Sequence, residues 1–197
     1  MSAAHPRPPL VDALRAATSP LHARLDRHPA LRGLAGPEPT VAGVGEALAR
    51  LYGPIAALEG RAAAGLAALG VPYPFAPRAP GLAADLALLG LLPVPHAGAA
   101  PRATGIGGLA GRLYVLEGAR LGATVLARRV PPSPAPTGAW RFFAEADAAA
   151  SWARFMALAA GLDGPVAAED GPAVRVAQAA FGCLLDHLDA LGAARPA

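Results

Sequence analysis

Two glycines four residues apart inside a helical pattern constrain this chain most. Gly118 and Gly122 sit in the middle of the stretch 111–130, GRLYVLEGARLGATVLARRV, whose apolar spacing is that of a helix. Each glycine costs a helix interior roughly 0.5–1 kcal/mol relative to alanine. Positions i and i+4 share one helix face, so the pair leaves a stripe of bare backbone. Two readings of such a stripe stand side by side. One is close packing against another helix. The other is a flat ligand pressed against exposed backbone, with the glycines permitting a bend over it.

A second one-sided pattern lies near the start of the chain. Leu10, Leu14, Ala17, Leu21 and Leu25 repeat at helical spacing. Pro20 interrupts them, so the segment is either one kinked helix or two, the second capped by Ser19 with Pro20 in its first turn. The neighbouring face carries Val11, Arg15, Thr18, His22 and Asp26. A neutral imidazole can bind iron through one nitrogen while a carboxylate one turn away holds its other N–H. Arg15, two turns back, is placed to reach a carboxylate at a ligand's edge. The plainer alternative is a surface helix with an i,i+4 His–Asp pair.

Length and composition bound the remaining choices. A chain of 197 residues fits one domain with its own core. It is 54% hydrophobic and 16% charged, dominated by alanine, leucine and arginine, which favours helix. All 17 basic residues are arginine, and the net charge of +3 is not concentrated in a run, which argues against a nucleic-acid surface. The lone cysteine, Cys183, excludes an internal disulfide and a CxxC zinc site, and its apolar helical setting predicts an isolated, buried thiol. No apolar run is long enough to span a bilayer and the N-terminus has no signal core, so a soluble cytoplasmic protein is expected.

Further helices are expected from Thr40 to about Leu69, from Leu82 to about Leu92, and from about Gly164 to Leu191; Pro54 suggests a kink in the first. Gly70 reads as a stop. Residues 1–9 read as a flexible N-terminus. His5 and His96 in proline-rich connectors, His28 at a helix end and His187 in the last helix are expected to be solvated. Trp140, Phe142, Phe143, Trp152 and Phe155 are assigned mainly to packing, and Asp85 to a structural hydrogen bond.

These motifs, in this order, resemble a known family. Tyr114-Val115-Leu116-Glu117-Gly118 followed by Leu121-Gly122-Ala123 is similar to the distal-helix YVxEGSxLG run of bacterial heme oxygenases. Leu14-Arg15-x-Ala17-Thr18-x-x-x-His22-x-x-x-Asp26 resembles their proximal helix, LRxATxxxHxxxE. Leu82, Asp85, Leu86, Leu89 and Gly90 match LxxDLxxLG, and the segment from Gly138 to Phe155 resembles GxxFF…WxxF. The resemblance spans most of the chain.

It implies an all-α, multi-helical single domain over residues 10–192 with heme between a proximal and a distal helix. It also implies cleavage of heme, at once cofactor and substrate, to biliverdin, carbon monoxide and iron. By it His22 is the iron ligand, Arg15 and Tyr114 meet heme propionates, and Thr18 and Asp26 complete the proximal side. Gly118 and Gly122 form the distal face that steers oxygen to a meso carbon. Implied partners are an electron donor, such as a ferredoxin or flavin reductase, and a biliverdin-accepting bacteriophytochrome.

Three departures bear on activity. Asp26 is one methylene shorter than the usual Glu, which predicts a water-bridged rather than direct contact to His22. Ala119 replaces a polar residue that helps to order distal water. Arg154 is only a near neighbour of the basic residues that bind propionate in other branches. The alternative reading is therefore a heme-binding relative without ring cleavage; a heme-free scaffold, as in thiaminase-II-like proteins or di-iron oxidases, would need a cysteine–acid pair or clustered Glu and His ligands.

Overall fold

The computed structural model describes residues 7–134, 138, 140–144, 147–162, 164–166, 168 and 171–193; His5 and most of the expected flexible N-terminus lie outside them. Among the described residues the chain forms seven α-helices and no strand: α1 (Pro9–Asp26), α2 (Arg32–Ala35), α3 (Val41–Leu69), α4 (Ala79–Leu88), α5 (Gly105–Leu126), α6 (Ala148–Ala160) and α7 (Pro172–Ala193). The two glycine-bearing turns of α5 are helical throughout. No helix among the described residues is long and apolar enough to cross a membrane.

Local chemistry sets the helix limits. Pro9 occupies the first turn of α1, where its missing N–H costs nothing. Pro20 lies on the exposed side, and α1 runs through it as one helix. Thr40 caps α3 by accepting the Gly43 N–H at 3.1 Å, and Gly70 ends it at φ 62°, a left-handed conformation that glycine adopts without a Cβ clash. The last helix starts at Pro172 rather than near Gly164, because 164–166 form a separate 3-10 turn.

Helix α5 is the centre of the molecule. It packs chiefly against α7, with α6 and α3 alongside, while α1 lies on α7. The close approach of α5 and α7 is made by glycines other than the expected pair. A Cβ at Gly111 would fall 2.0 Å from the Ala173 carbonyl oxygen, and one at Gly107 would fall 2.9 Å from Pro172. Leu109, Leu113, Val174, Ala177 and Leu188 of these two helices belong to the hydrophobic core.

Buried carboxylates fasten the connectors. Glu59 of α3 accepts the Arg78 and Ala79 N–H groups, both at 2.9 Å, at the start of α4. Burial pushes its pKa up, and those two hydrogen bonds pull against it. Asp85 of α4 accepts the Arg141 and Phe142 N–H groups at 3.0 and 2.9 Å, the structural part expected of it. Val94 donates its N–H to the Ala49 carbonyl, laying the α4–α5 connector on α3 where Gly53 leaves room; a Cβ there would sit 2.4 Å from the His96 nitrogen.

Three of the histidines expected in solvent are not there. His28 is 9% exposed, bonded to Asp189 and to the Ala30 N–H, because the chain folds back so that α7 covers the end of α1. His187 is 7% exposed and contacts the Arg50 carbonyl at 2.9 Å. Pro54, which has no N–H to give, leaves this i−4 carbonyl of α3 without its helical partner, and His187 supplies one. His96, half-buried, reaches both His187 and Cys183.

Candidate functional site

A cleft of about 480 Å³ opens between α1 on one side and α5 with α6 on the other. That volume lies in the roughly 300–1,000 Å³ range of small-molecule sites. The α1 face read from the sequence lines it from end to end: Val11, Arg15, Thr18, His22 and Asp26, joined by Ser19 and Ala23. Tyr114 of α5 and Trp152 of α6 form the opposite wall, and Arg7, just ahead of α1, stands at the rim. Arg7 and Trp152 were missed as site residues. Arg7 lies outside the α1 pattern, and an aromatic at helical spacing carries the same signal whether it faces core or cleft.

His22 is held in a definite tautomer. Its Nδ1 lies 2.8 Å from Asp26 Oδ2, a direct contact that replaces the water bridge expected for the shorter side chain. The i,i+4 geometry of an unbroken α1 brings the two groups within reach even without the extra methylene. A carboxylate accepts only, so Nδ1 carries the proton and donates, and Nε2 keeps its lone pair for a metal or a proton. Both side chains are more than 60% exposed, so a ligand is free to approach the ring. Phe181 of α7 meets the ring at 5.8 Å between centroids.

The polar groups around the imidazole differ in availability. Thr18 Oγ1 donates to the Leu14 carbonyl at 2.7 Å, so its proton is used within α1. Arg15 makes no hydrogen bond or ion pair among the described residues and is free to meet an anion. Arg7 shares its charge with Asp12 at 2.9 Å. Tyr114 packs against Trp152 and Phe155, each 6.0 Å away between ring centroids.

Gly118 lies one turn along α5 from Tyr114. A Cβ there would touch only the Trp152 ring, at 3.9 Å, and one at Gly122 would meet nothing within 4 Å. Only the Trp152 side chain of α6 comes near Gly118, and no backbone approaches either residue closely, so close helix packing does not account for the pair. Gly118 is half-buried and Gly122 exposed, and neither is among the residues that line the cleft. Replacing Gly122 with Ala is expected to stabilise the ligand-free protein by roughly 0.5–1 kcal/mol, since the helix gains and nothing is displaced. Denaturant unfolding measures this, and a loss of stability would mean the bare backbone is needed by the fold.

Behind the cleft lies a polar network that the sequence did not announce. Glu117, wholly buried, accepts from Tyr73 Oη at 3.1 Å, from Arg120 Nε at 3.1 Å and from Ser151 Oγ at 2.6 Å. Burial, followed by the adjacent Glu117 charge, pushes the Tyr73 phenol up, so it stays protonated as a donor. Ser151 directly precedes Trp152, so the network ties the cleft's aromatic wall to α5.

The same architecture occurs in a solved protein. The chain is similar to the heme oxygenase from Neisseria meningitidis, whose crystal structures were determined with NO and CO bound: TM-score 0.69, 20% sequence identity, 95% of this chain and 94% of that one covered. The chain has the heme oxygenase fold. No protein-family model matches the sequence, and no curated protein matches it.

Proposed function

We propose that the protein is a heme oxygenase that cleaves heme to biliverdin, carbon monoxide and iron, using dioxygen and electrons from an external donor. One observation carries the reading. His22, with Nδ1 engaged by Asp26 and Nε2 free, lines a cleft walled opposite by α5, whose Gly118 backbone is approached only by Trp152.

The residues fit a porphyrin. His22 Nε2 would supply a nitrogen to the heme iron, and Asp26 would hold the ring and raise its basicity. Arg15, lacking any other partner, and the Tyr114 hydroxyl are the groups for carboxylates at the ligand's edge. Gly118 leaves bare backbone one turn from Tyr114, where a side chain larger than a methyl group would crowd the Trp152 ring. Heme, when bound, supplies the redox-active iron at which dioxygen is activated. The reading also implies a cytoplasmic protein served by a ferredoxin or flavin reductase, working either in iron acquisition or in biliverdin supply to a bacteriophytochrome.

A second reading, heme binding without ring cleavage, rests on Ala119. The position after Gly118 offers only a methyl group, so ordering of distal water falls to backbone carbonyls near the glycines. Ala119→Ser is expected to speed biliverdin formation or leave it unchanged. Single-turnover conversion of hemin-loaded protein, with reductant and catalase present and the product extracted, tests the activity. Heme that survives repeated reduction in air would sink the oxygenase reading in favour of the second.

A further inference from the structure

Cys183 is not the isolated thiol its sequence setting predicts. Its Sγ lies 3.3 Å from His96 Nε2, and His96 Nδ1 lies 3.4 Å from His187 Nδ1. The proton positions along this chain follow from its far end. The Arg50 carbonyl can only accept, so His187 Nε2–H donates to it at 2.9 Å. Burial, the largest influence on His187, pushes its pKa down and keeps the ring neutral, so its Nδ1 is an acceptor. His96 therefore donates from Nδ1 and turns the lone pair of Nε2 to the Cys183 S–H. A nucleophile, a base and a group that orients the base stand in sequence.

A buried charge also acts on the sulfur. Arg112 is 2% exposed and is paired with no carboxylate. It donates to the carbonyls of Arg61 and Pro101, while its Nε has no partner. Burial and Arg61 pull its pKa down, and the acid group that pushes it back up is Cys183. Conversely, burial and Asp186 push the Cys183 thiol up while Arg112 pulls it down. At rest the sulfur is a thiol hydrogen-bonded to His96. The three donors do not converge on one point, since Cys183 and His187 face different nitrogens of His96, and this disfavours a metal.

We propose that Cys183 is a modification site for small hydroperoxides, with His96 as its base, separate from the heme cleft and independent of the heme reading. The size limit follows from access: Cys183 is 9% exposed and lies beneath the half-buried connector residue His96, which admits hydrogen peroxide but not a bulky disulfide. His96 Nε2 takes the thiol proton as the sulfur lone pair forms an S–O bond to one peroxide oxygen. The O–O bond breaks, and the leaving hydroxide takes the proton from His96 to become water. Sulfur is oxidised by two electrons to a sulfenic acid, and the peroxide is reduced.

The test uses the full chain without added hemin, where Cys183 is the single thiol and its loss reads the site directly. Hydrogen peroxide is added, the sulfenic acid is trapped with dimedone, and the rate is followed by mass spectrometry. Native protein is expected to react faster than urea-unfolded protein, and His96→Ala to slow the native reaction by about tenfold or more. If His96 merely covers the sulfur, its removal has the opposite sign and speeds oxidation. Should His96→Ala fail to fold, His96→Gln serves, because the amide fills much of the space of the ring but has no basic nitrogen to take the thiol proton. Variants that react as fast as native protein or faster, or native protein slower than unfolded, would overturn the proposal.

Discussion

Replacing His22 with alanine is expected to abolish the imidazole-ligated spectrum of the hemin complex and, with it, single-turnover formation of biliverdin. The fold should be untouched, since His22 is exposed and its only hydrogen-bond partner, Asp26, is exposed as well. The other described histidines cannot substitute. His28, His96 and His187 are engaged with Asp189, Cys183 and the Arg50 carbonyl, away from the cleft. Asp26→Ala should have a smaller effect, weakening iron ligation by about tenfold or more while the imidazole remains bound, as when the outer partner of a metal-bound histidine is lost. Ferric and ferrous spectra of the two variants, with exogenous imidazole added to the first, check both expectations. An unchanged spectrum in His22→Ala would place the ligand elsewhere and remove the proximal role of α1.

The largest effect on stability is expected at Glu117, which binds nothing in the cleft. Its carboxylate satisfies Tyr73, Arg120 and Ser151 at once, joining the connector before α4 to α5 and α6. Glu117→Ala removes one buried ion-pair partner of Arg120, which also donates to the Ala76 carbonyl, takes the acceptor from the Ser151 hydroxyl, and leaves Tyr73 Oη its longer contact to the Ser151 carbonyl at 3.4 Å. Breaking a buried ion pair from one side costs about 3–5 kcal/mol. For a chain of this size that is a fall in Tm of roughly 6–20 °C. Ser151→Ala, which removes one neutral donor and leaves the ion pair intact, should cost only about 1–3 kcal/mol. Thermal and denaturant unfolding of the two variants decide the matter. Equal costs would mean that the ion pair adds nothing beyond the hydroxyl contact.

The cleft-lining face of α1 was legible in the chain because it is local. Val11, Arg15, Thr18, His22 and Asp26 belong to one helix, and helical geometry alone puts them on one side; all five line the cleft. The all-α class, the Thr40 cap and the Gly70 stop are likewise matters of period and of backbone chemistry within a few residues. The bare backbone at Gly118 and Gly122 could be read as a feature, but not for its purpose. Spacing cannot tell a packing stripe from an open one, and the helix-packing glycines proved to be Gly107 and Gly111 on the same helix.

What folding decided were the encounters between residues far apart in the chain. Glu117 looks like any charged residue on a helix until Tyr73 and Ser151 arrive from 44 and 34 positions away. His187 reads as a surface residue because nothing near it in sequence needs a donor. It is buried because Pro54 strips a carbonyl of its partner 137 residues before it, and α7 lies where it can supply one. The same docking brings His96 to Cys183, 87 positions apart. Periodicity assigns a side chain to a face of its own helix. Which buried donor meets which buried acceptor depends on how the helices pack, and unpaired polar groups in the core are costly enough to make that choice specific.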